Sequence, residues 1–370
     1  MANLSITRRC QRHCGYCFAQ YELGREAAAD MPPEVYETAL AFLKRSGFPE
    51  VRLLGGEPTE HPQFREYVNR AHELGFRVVI FSGGLVPGSA LEFMAALPKD
   101  RFSVVLNAAD PANDAEALVK RQRKVCRALG SKVMLGVNIR TPDQDPTYLF
   151  DWVSEFDSRR AIRVGLAHPI WGGTNDFFRL RGPRVISVIE RLAVLGAKIG
   201  VNVGFDCGFT PCMFSPKFVD SQTDMFLGCN PDARPPGQGL SNCASSSYIK
   251  RDATGLPPIS SDDSVGRKTP TALIEAVGMR CNPVVDILPE GDCIACYALS
   301  RFHRLPLPPA GTRNDLVSSF ERALLPVLPV GVHRECAYCD YREKGMCGGG
   351  CRARRALRLR PNAFGPLHAE

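Results

Sequence analysis

Three cysteines carry the first chemistry this chain can be read to do. Cys10, Cys14 and Cys17 stand in the short loop Cys10-Gln-Arg-His-Cys14-Gly-Tyr-Cys17-Phe, directly after an apolar start. The Cα atoms of Cys10 and Cys14 can be at most ~14 Å apart, so the loop can wrap three thiolates round one inorganic centre. Three ligands leave such a centre one short, and an open position is where chemistry can happen. Zinc tolerates cysteines at this spacing and would draw a fourth ligand from elsewhere. Disulfide pairing is the weaker expectation, because a chain without a secretion signal keeps its thiols reduced.

A second motif narrows the choice. The apolar stretch Val51 to Leu54 runs into Gly55-Gly56-Glu57-Pro58. Glycines let the backbone approach a ligand closely, and the proline fixes the turn. A C-x3-C-x2-C loop with Tyr16 before its last cysteine, followed by this turn, resembles the radical S-adenosylmethionine superfamily. The resemblance spans residues 1–205 and implies the rest of the site. Cys10, Cys14 and Cys17 would hold a catalytic [4Fe–4S] cluster whose open iron is chelated by the amino and carboxylate groups of S-adenosyl-L-methionine. Reductive cleavage then gives a 5′-deoxyadenosyl radical that removes a substrate hydrogen. Tyr16 would lie against the adenine, and Glu57 would accept charge-assisted hydrogen bonds from the methionine ammonium. Ser82 stands where many relatives place a Thr-Asn-Gly turn, and Asn107 would hold the ribose hydroxyls or the carboxylate. A reducing electron donor such as flavodoxin or ferredoxin is the implied partner.

More cysteines follow. Cys207 and Cys212 come first, then Cys281-x9-Gly291-x4-Cys296, then Cys336-x2-Cys339-x7-Cys347-x3-Cys351. The last two segments resemble the SPASM extension of radical enzymes, whose members carry one or two auxiliary [4Fe–4S] clusters. Two departures stand out: the usual x5 spacing is x7 here, and no cysteine follows Cys351, although His368 lies near the vacant position. These eight cysteines are enough for two complete clusters, and spacing does not sort them between the two. Cys126 reads as helix packing, and Cys229, Cys243 and Cys293 are spare. An auxiliary cluster could take the electron that a substrate radical must lose in an oxidation.

The resemblance implies a radical enzyme that oxidatively modifies a peptide or protein side chain. The alternative is a dehydrogenase, epimerase or ring-forming enzyme acting on a small metabolite in natural-product biosynthesis. The cysteine loop opens at residue 10, which leaves no room before it for a leader-peptide recognition domain and keeps that alternative in view. Sulfatase maturation is disfavoured, because the position of its acidic base is Tyr297. A non-catalytic iron–sulfur or zinc protein is the reading from another class. No side chain is assigned as catalytic acid, base or hydrogen donor; Tyr297 and Cys229 are only possibilities.

The elements must bring these groups together. At 370 residues, 44% hydrophobic and 23% charged, the chain has the composition of a globular protein with one large domain and a small one. No apolar run reaches membrane length, and the first residues lack the core of a signal peptide, so a cytoplasmic protein without a membrane partner is expected. Fifteen cysteines in a reducing compartment point to metal. The net charge of +7 draws on Arg352, Arg354, Arg355, Arg358 and Arg360. Without aromatics for base stacking these read as a solvated helix face, not a nucleic-acid site.

Strands are expected at 2–7, 51–54, 76–81, 102–107, 132–138, 161–167 and 200–205. They alternate with helices at 32–46, 62–75, 88–97, 113–129, 146–157 and 181–198. This is an α/β pattern with a parallel sheet, expected as a (β/α)6 partial barrel, with a doubly wound sheet as the alternative. In either, functional groups belong at the C-terminal strand ends, where the cysteine loop, the Gly55 turn, Ser82, Asn107 and Asn138 fall. Residues 206–370 form the expected cysteine-rich auxiliary-cluster domain, with a loop-rich insertion at about 213–275, read either as a surface linker or as a lid.

Overall fold

A computed structural model describes residues 2–24, 30–167, 183–206, 208–219, 281, 283–343 and 347–359. Its first half is a strand–helix alternation: β1 (Asn3–Thr7), α1 (Gln20–Leu23), α2 (Pro33–Arg45), β2 (Glu50–Gly55), α3 (Phe64–Glu73), β3 (Arg77–Ser82), α4 (Gly88–Ala96), β4 (Phe102–Asn107), α5 (Glu116–Leu129), β5 (Val133–Ile139), α6 (Tyr148–Glu155), β6 (Ala161–Leu166), α7 (Pro183–Ile199) and β7 (Asn202–Phe205). Strands β1 to β7 lie side by side in chain order and all run parallel. The sheet does not close on itself, so the partial barrel is the architecture found.

The local reasons are visible in the residues. Val78, Val79 and Ile80 form a continuous buried run in β3, as expected of a strand covered on two faces. Helix α2 starts at Pro32-Pro33, where a missing N–H costs nothing. It buries Tyr36, Ala39, Leu40, Phe42 and Leu43 against the sheet. Each large side chain so buried contributes roughly 1.5–3 kcal/mol.

Three short strands extend the sheet beyond the expected seven. β8 (Asp286–Ile287) pairs parallel with β1, and β9 (Asp292–Ile294) and β10 (Arg304–Pro306) follow antiparallel. At two or three residues each, they are too short to leave a periodicity in the sequence. Their order β10-β9-β8-β1 brings the second cysteine-rich region onto the edge of the barrel next to the first cysteine loop. Helices α8 (Arg313–Ala323), α9 (Asp340–Glu343) and α10 (Arg352–Leu359) complete the described part, α8 opening on a Thr312/Asp315 capping box.

Two expectations are corrected here. Arg352 and Arg355 do not lie on a solvated face: they are 8% and 2% exposed. Arg355 Nη1 donates to the carbonyls of Leu328, Val330 and Gly348 at 3.1, 3.2 and 2.7 Å, and Arg352 Nη2 to Glu321 at 3.0 Å. The charge run hides a buried guanidinium whose Nη1 is shared among main-chain carbonyls. At the start of the expected loop-rich insertion, Met213, Phe214, Phe218 and Val219 are buried, while 215–217 are exposed. Phe214 and Phe218 join Phe205 and Phe209 in an aromatic cluster with ring centroids 5.1–6.3 Å apart. The remainder of the insertion lies outside the described residues, as do Cys207, Cys229, Cys243, Arg360 and His368.

Candidate active site

The cysteine loop leaves β1 through a register shift between Ser5 and Thr7 and is immediately docked on the turn after β2. Gly56 N donates to Thr7 O at 2.8 Å and Glu57 N to Arg9 O at 2.7 Å. A Cβ at Gly55 would overlap Thr7 O, and one at Gly56 would overlap Arg9 O; Gly55 also has φ +133°. The double glycine is therefore demanded by the protein's own loop, not by a ligand. Within the loop, Cys17 N donates to Cys14 O at 3.0 Å, and Gln20 Nε2 reaches the Cys14 and Gly15 carbonyls, both at 3.2 Å.

Cys10, Cys14 and Cys17 carry free, partly buried thiols close enough to feel one another's charge. Burial pushes the Cys17 thiol up to about 11 and raises Cys10 as well. A cationic centre is what would favour three thiolates here. Among the described residues no three His, Cys, Asp or Glu side chains converge as a single metal ion requires. Tetrahedral zinc with 2.3 Å bonds would hold its sulfurs ~3.8 Å apart.

Behind the loop, strand ends are tied together by a few buried polar groups. Glu57, 2% exposed, accepts from Thr59 Oγ1 at 2.8 Å, Ser82 Oγ at 2.9 Å and Gly83 N at 2.8 Å. Burial raises its pKa, and these donors oppose the rise. Ser82 Oγ in turn accepts from Gly84 N at 2.9 Å, so this hydroxyl couples β3 to Glu57. Asn107, at the end of β4, has a buried Oδ1 with no hydrogen-bond partner among the described residues. An orphaned acceptor at a barrel mouth is the kind of group a ligand hydroxyl or ammonium satisfies.

Two residues that sequence reasoning missed hold this floor. Arg12 Nη1 donates to Asn107 O at 2.6 Å and Gly83 O at 3.3 Å, and its Nη2 to Tyr16 Oη at 3.2 Å. Gln122 Nε2 donates to Gly83 O at 2.7 Å and Asn107 O at 2.9 Å, while its Oε1 accepts from Ala109 N at 2.6 Å. A signal existed: Gln122 is a polar residue at helical spacing from Val125 and Cys126 on the buried face of α5. Tyr16 lies under Arg140, whose guanidinium is 5.1 Å from the ring centroid and is held by Asp114 at 2.8 Å. Burial pushes the Tyr16 phenol up to about 12.

Towards β8 the interior is apolar with one acid. Tyr297 meets Phe18 edge to face at 5.1 Å and packs with Leu54, Leu288, Ile294, Cys17 and Phe81. Asp286 accepts from Asn3 Nδ2 at 2.6 Å and is pushed up to about 7 by burial.

Several of the C-terminal thiols interact with one another. Cys281 is hydrogen-bonded to Cys351 and pulled down to about 6, first by that bond, with the Arg352 amide and the Arg352 and Arg355 guanidiniums adding to it. Cys296 feels the charge of Cys281. Cys347 feels the charge of Cys212 and Cys336. Cys126 and Cys293 are buried and pushed up by burial, as inert packing thiols are.

Residues 4–134 match the family model of the Radical SAM superfamily. The cysteine loop, the glycine turn and strands β1 to β4 fall within or at the edge of that match. The cysteine-rich region follows it. A 36% identity over 72 residues relates the chain to a PqqA peptide cyclase of Rhodopseudomonas palustris, covering 20% of this chain and 19% of that one. An S-adenosylmethionine-dependent nucleotide dehydratase of Selenomonas ruminantium is 32% identical over 83 residues, 22% and 29% of the two chains. The aligned parts thus span a third or less of these curated relatives. The fold extends further. Streptococcus suis SuiB bound to its precursor peptide SuiA superposes with a TM-score of 0.61 at 16% identity, over all of this chain and 74% of that one. The enzyme anSMEcpe with bound AdoMet gives 0.59 at 14% identity, over 99% and 93%.

Proposed function

We propose that this chain is a radical S-adenosylmethionine enzyme that oxidatively modifies a peptide or protein side chain. The observation that carries the chemistry is the docking of the three-cysteine loop on the Gly55-Gly56-Glu57 turn, beside the unpartnered acceptor of Asn107. The relation to a peptide cyclase, and the likeness to an enzyme solved with its precursor peptide, support a peptide as the substrate class.

Cys10, Cys14 and Cys17 would hold a [4Fe–4S] cluster, which would supply the one-electron reduction of S-adenosylmethionine. The chain's own residues do the rest. Three thiolates leave one ligand position open. Glu57, its carboxyl group kept in place by Thr59, Ser82 and Gly83, would accept from the methionine ammonium. Asn107 Oδ1 takes a hydroxyl, and Tyr16, stiffened by Arg12 and Arg140, offers its ring to the adenine. Phe18, Leu54, Phe81 and Tyr297 keep water from the interior. A flavodoxin or ferredoxin is the class of reductant such a site needs.

The test is anaerobic incubation of reconstituted protein with dithionite and S-adenosylmethionine. The native protein is expected to release 5′-deoxyadenosine, and Cys14→Ala to release none. Undiminished release by the variant would overturn the assignment. Mass spectrometry of a co-expressed candidate peptide is expected to show the loss of two hydrogens.

A further inference from the structure

The segment spanning residues 336–347 brings three cysteines, Cys336, Cys339 and Cys347, and stops one ligand short of a complete cluster. No cysteine follows Cys351 in the sequence, and Cys351 itself is turned to Cys281. The structure supplies another candidate. Cys212 lies far back in the chain, just after β7, yet its neighbour Thr210 packs on the Cys347–Cys351 stretch, which also packs on the segment that carries Cys336.

The packing that achieves this is specific. Gly349 and Gly350, at φ +90° and +83°, let the stretch between Cys347 and Cys351 fold tightly against two other segments. A Cβ at Gly349 would meet Gly331 Cα at 3.3 Å, and one at Gly350 would meet Val332 at 2.9 Å and Thr210 Cγ2 at 3.4 Å. Val332 N also donates to Gly349 O at 2.9 Å. Gly331 in turn abuts the Cys336 side chain. Thr210 therefore touches the Cys347–Cys351 stretch on one side, while its Oγ1 lies 3.3 Å from Cys212 Sγ on the other. Around Cys212, Thr210, Pro211 and Met213 are buried, but Cys212 itself is exposed: the backbone is anchored while this one side chain turns out. The anchor is the cluster of Phe205, Phe209, Phe214 and Phe218 on either side of it.

We propose that Cys212 completes a four-thiolate site with Cys336, Cys339 and Cys347, and that Cys281, Cys296 and Cys351 belong to a separate one. Each site takes an iron–sulfur cluster. The assignment rests on the auxiliary-cluster reading of this region. It gives Cys212 the place of a fourth ligand without calling on His368.

Anaerobic alkylation of the holoenzyme with iodoacetamide, read by peptide mass spectrometry beside iron analysis, tests this on native protein. With three clusters loaded, iron should be about twelve per chain. Cys212 is then expected to stay unlabelled, and to become labelled once the iron is removed by a chelator. Labelling of Cys212 in twelve-iron protein as fast as in chelated protein overturns the proposal while leaving the enzyme reading intact. About four irons would sink the auxiliary-cluster reading, and this proposal with it. Variants give a second route. Cys212→Ala and Cys347→Ala should each remove or convert one cluster signal in Mössbauer spectra, and the double variant should lose no more than either alone. Cys212→Ala with Cys281→Ala should lose a second cluster. A double loss in the Cys212/Cys347 pair, or three intact clusters in Cys212→Ala, would refute the shared site. Replacing His368 by alanine should leave all three signals unchanged.

Discussion

Asn107 and Gly56 separate two kinds of site residue. Asn107 Oδ1 is satisfied by nothing within the described protein, so removing it costs the fold little. Asn107→Ala should keep the thermal midpoint of the native chain while weakening S-adenosylmethionine binding roughly tenfold, the worth of one hydrogen bond of about 1.4 kcal/mol. Isothermal titration of the reconstituted protein checks this; unchanged affinity would remove Asn107 from the site. Gly56 is the opposite case, because its missing side chain is occupied by the Arg9 carbonyl. Gly56→Ala should lift the cysteine loop, cost about 1–3 kcal/mol by overpacking and lower cluster retention, seen as iron content and thermal midpoint together. From sequence, Gly55-Gly56 reads as a close approach to a ligand; in the structure it admits the Thr7 and Arg9 carbonyls. The type of residue was legible; the neighbour it accommodates was not. Asp286 adds a pH dependence. Its folded pKa, near 7, lies above the ordinary ~3.9 of an aspartate. The native state therefore binds the proton more tightly, and the stability this contributes is full below about pH 4 and lost as pH rises towards 7. Asp286→Asn should flatten that decline, and urea unfolding midpoints across the range will show it.

Among the elements, the seven parallel strands and their helices were legible because each burial face repeats over several turns or strand positions. β8 to β10 were not, since two or three residues show no period. Their consequence is larger than their size. Arg8, just after β1, pairs with Glu290 in the β8–β9 turn at 2.5 Å, and Glu290 pairs with Arg304 of β10 at 3.3 Å. Arg304 also pairs with Glu22 of α1. This network ties the cysteine loop's two flanks to the later region. Buried charge pairs are weak evidence of net stability, but removing one partner is costly, about 3–5 kcal/mol. A fragment of residues 1–205 would lose β8 beside β1 and strand Arg8, 6% exposed, without Glu290. The fragment is expected to fail to give a cooperative thermal transition. A sharp transition close to that of the full chain would show that the sheet edge is dispensable.

For the whole molecule, the sequence by itself determined which atoms could do chemistry: thiols at loop spacing, a glycine turn after a strand, and a helix–strand rhythm that puts them at one end of a parallel sheet. These are local properties, set by residue type and by periods of two and 3.6. Only the tertiary structure decided who meets whom. It placed Arg12 and Gln122 on the same two carbonyls, buried Arg355 where a solvated face was expected, and brought Thr210, near Cys212, onto the Cys347–Cys351 stretch across more than a third of the chain. Such pairings depend on how distant backbones close on one another, through glycines that admit a neighbour and rings that anchor a segment. Spacing along a chain carries no record of that.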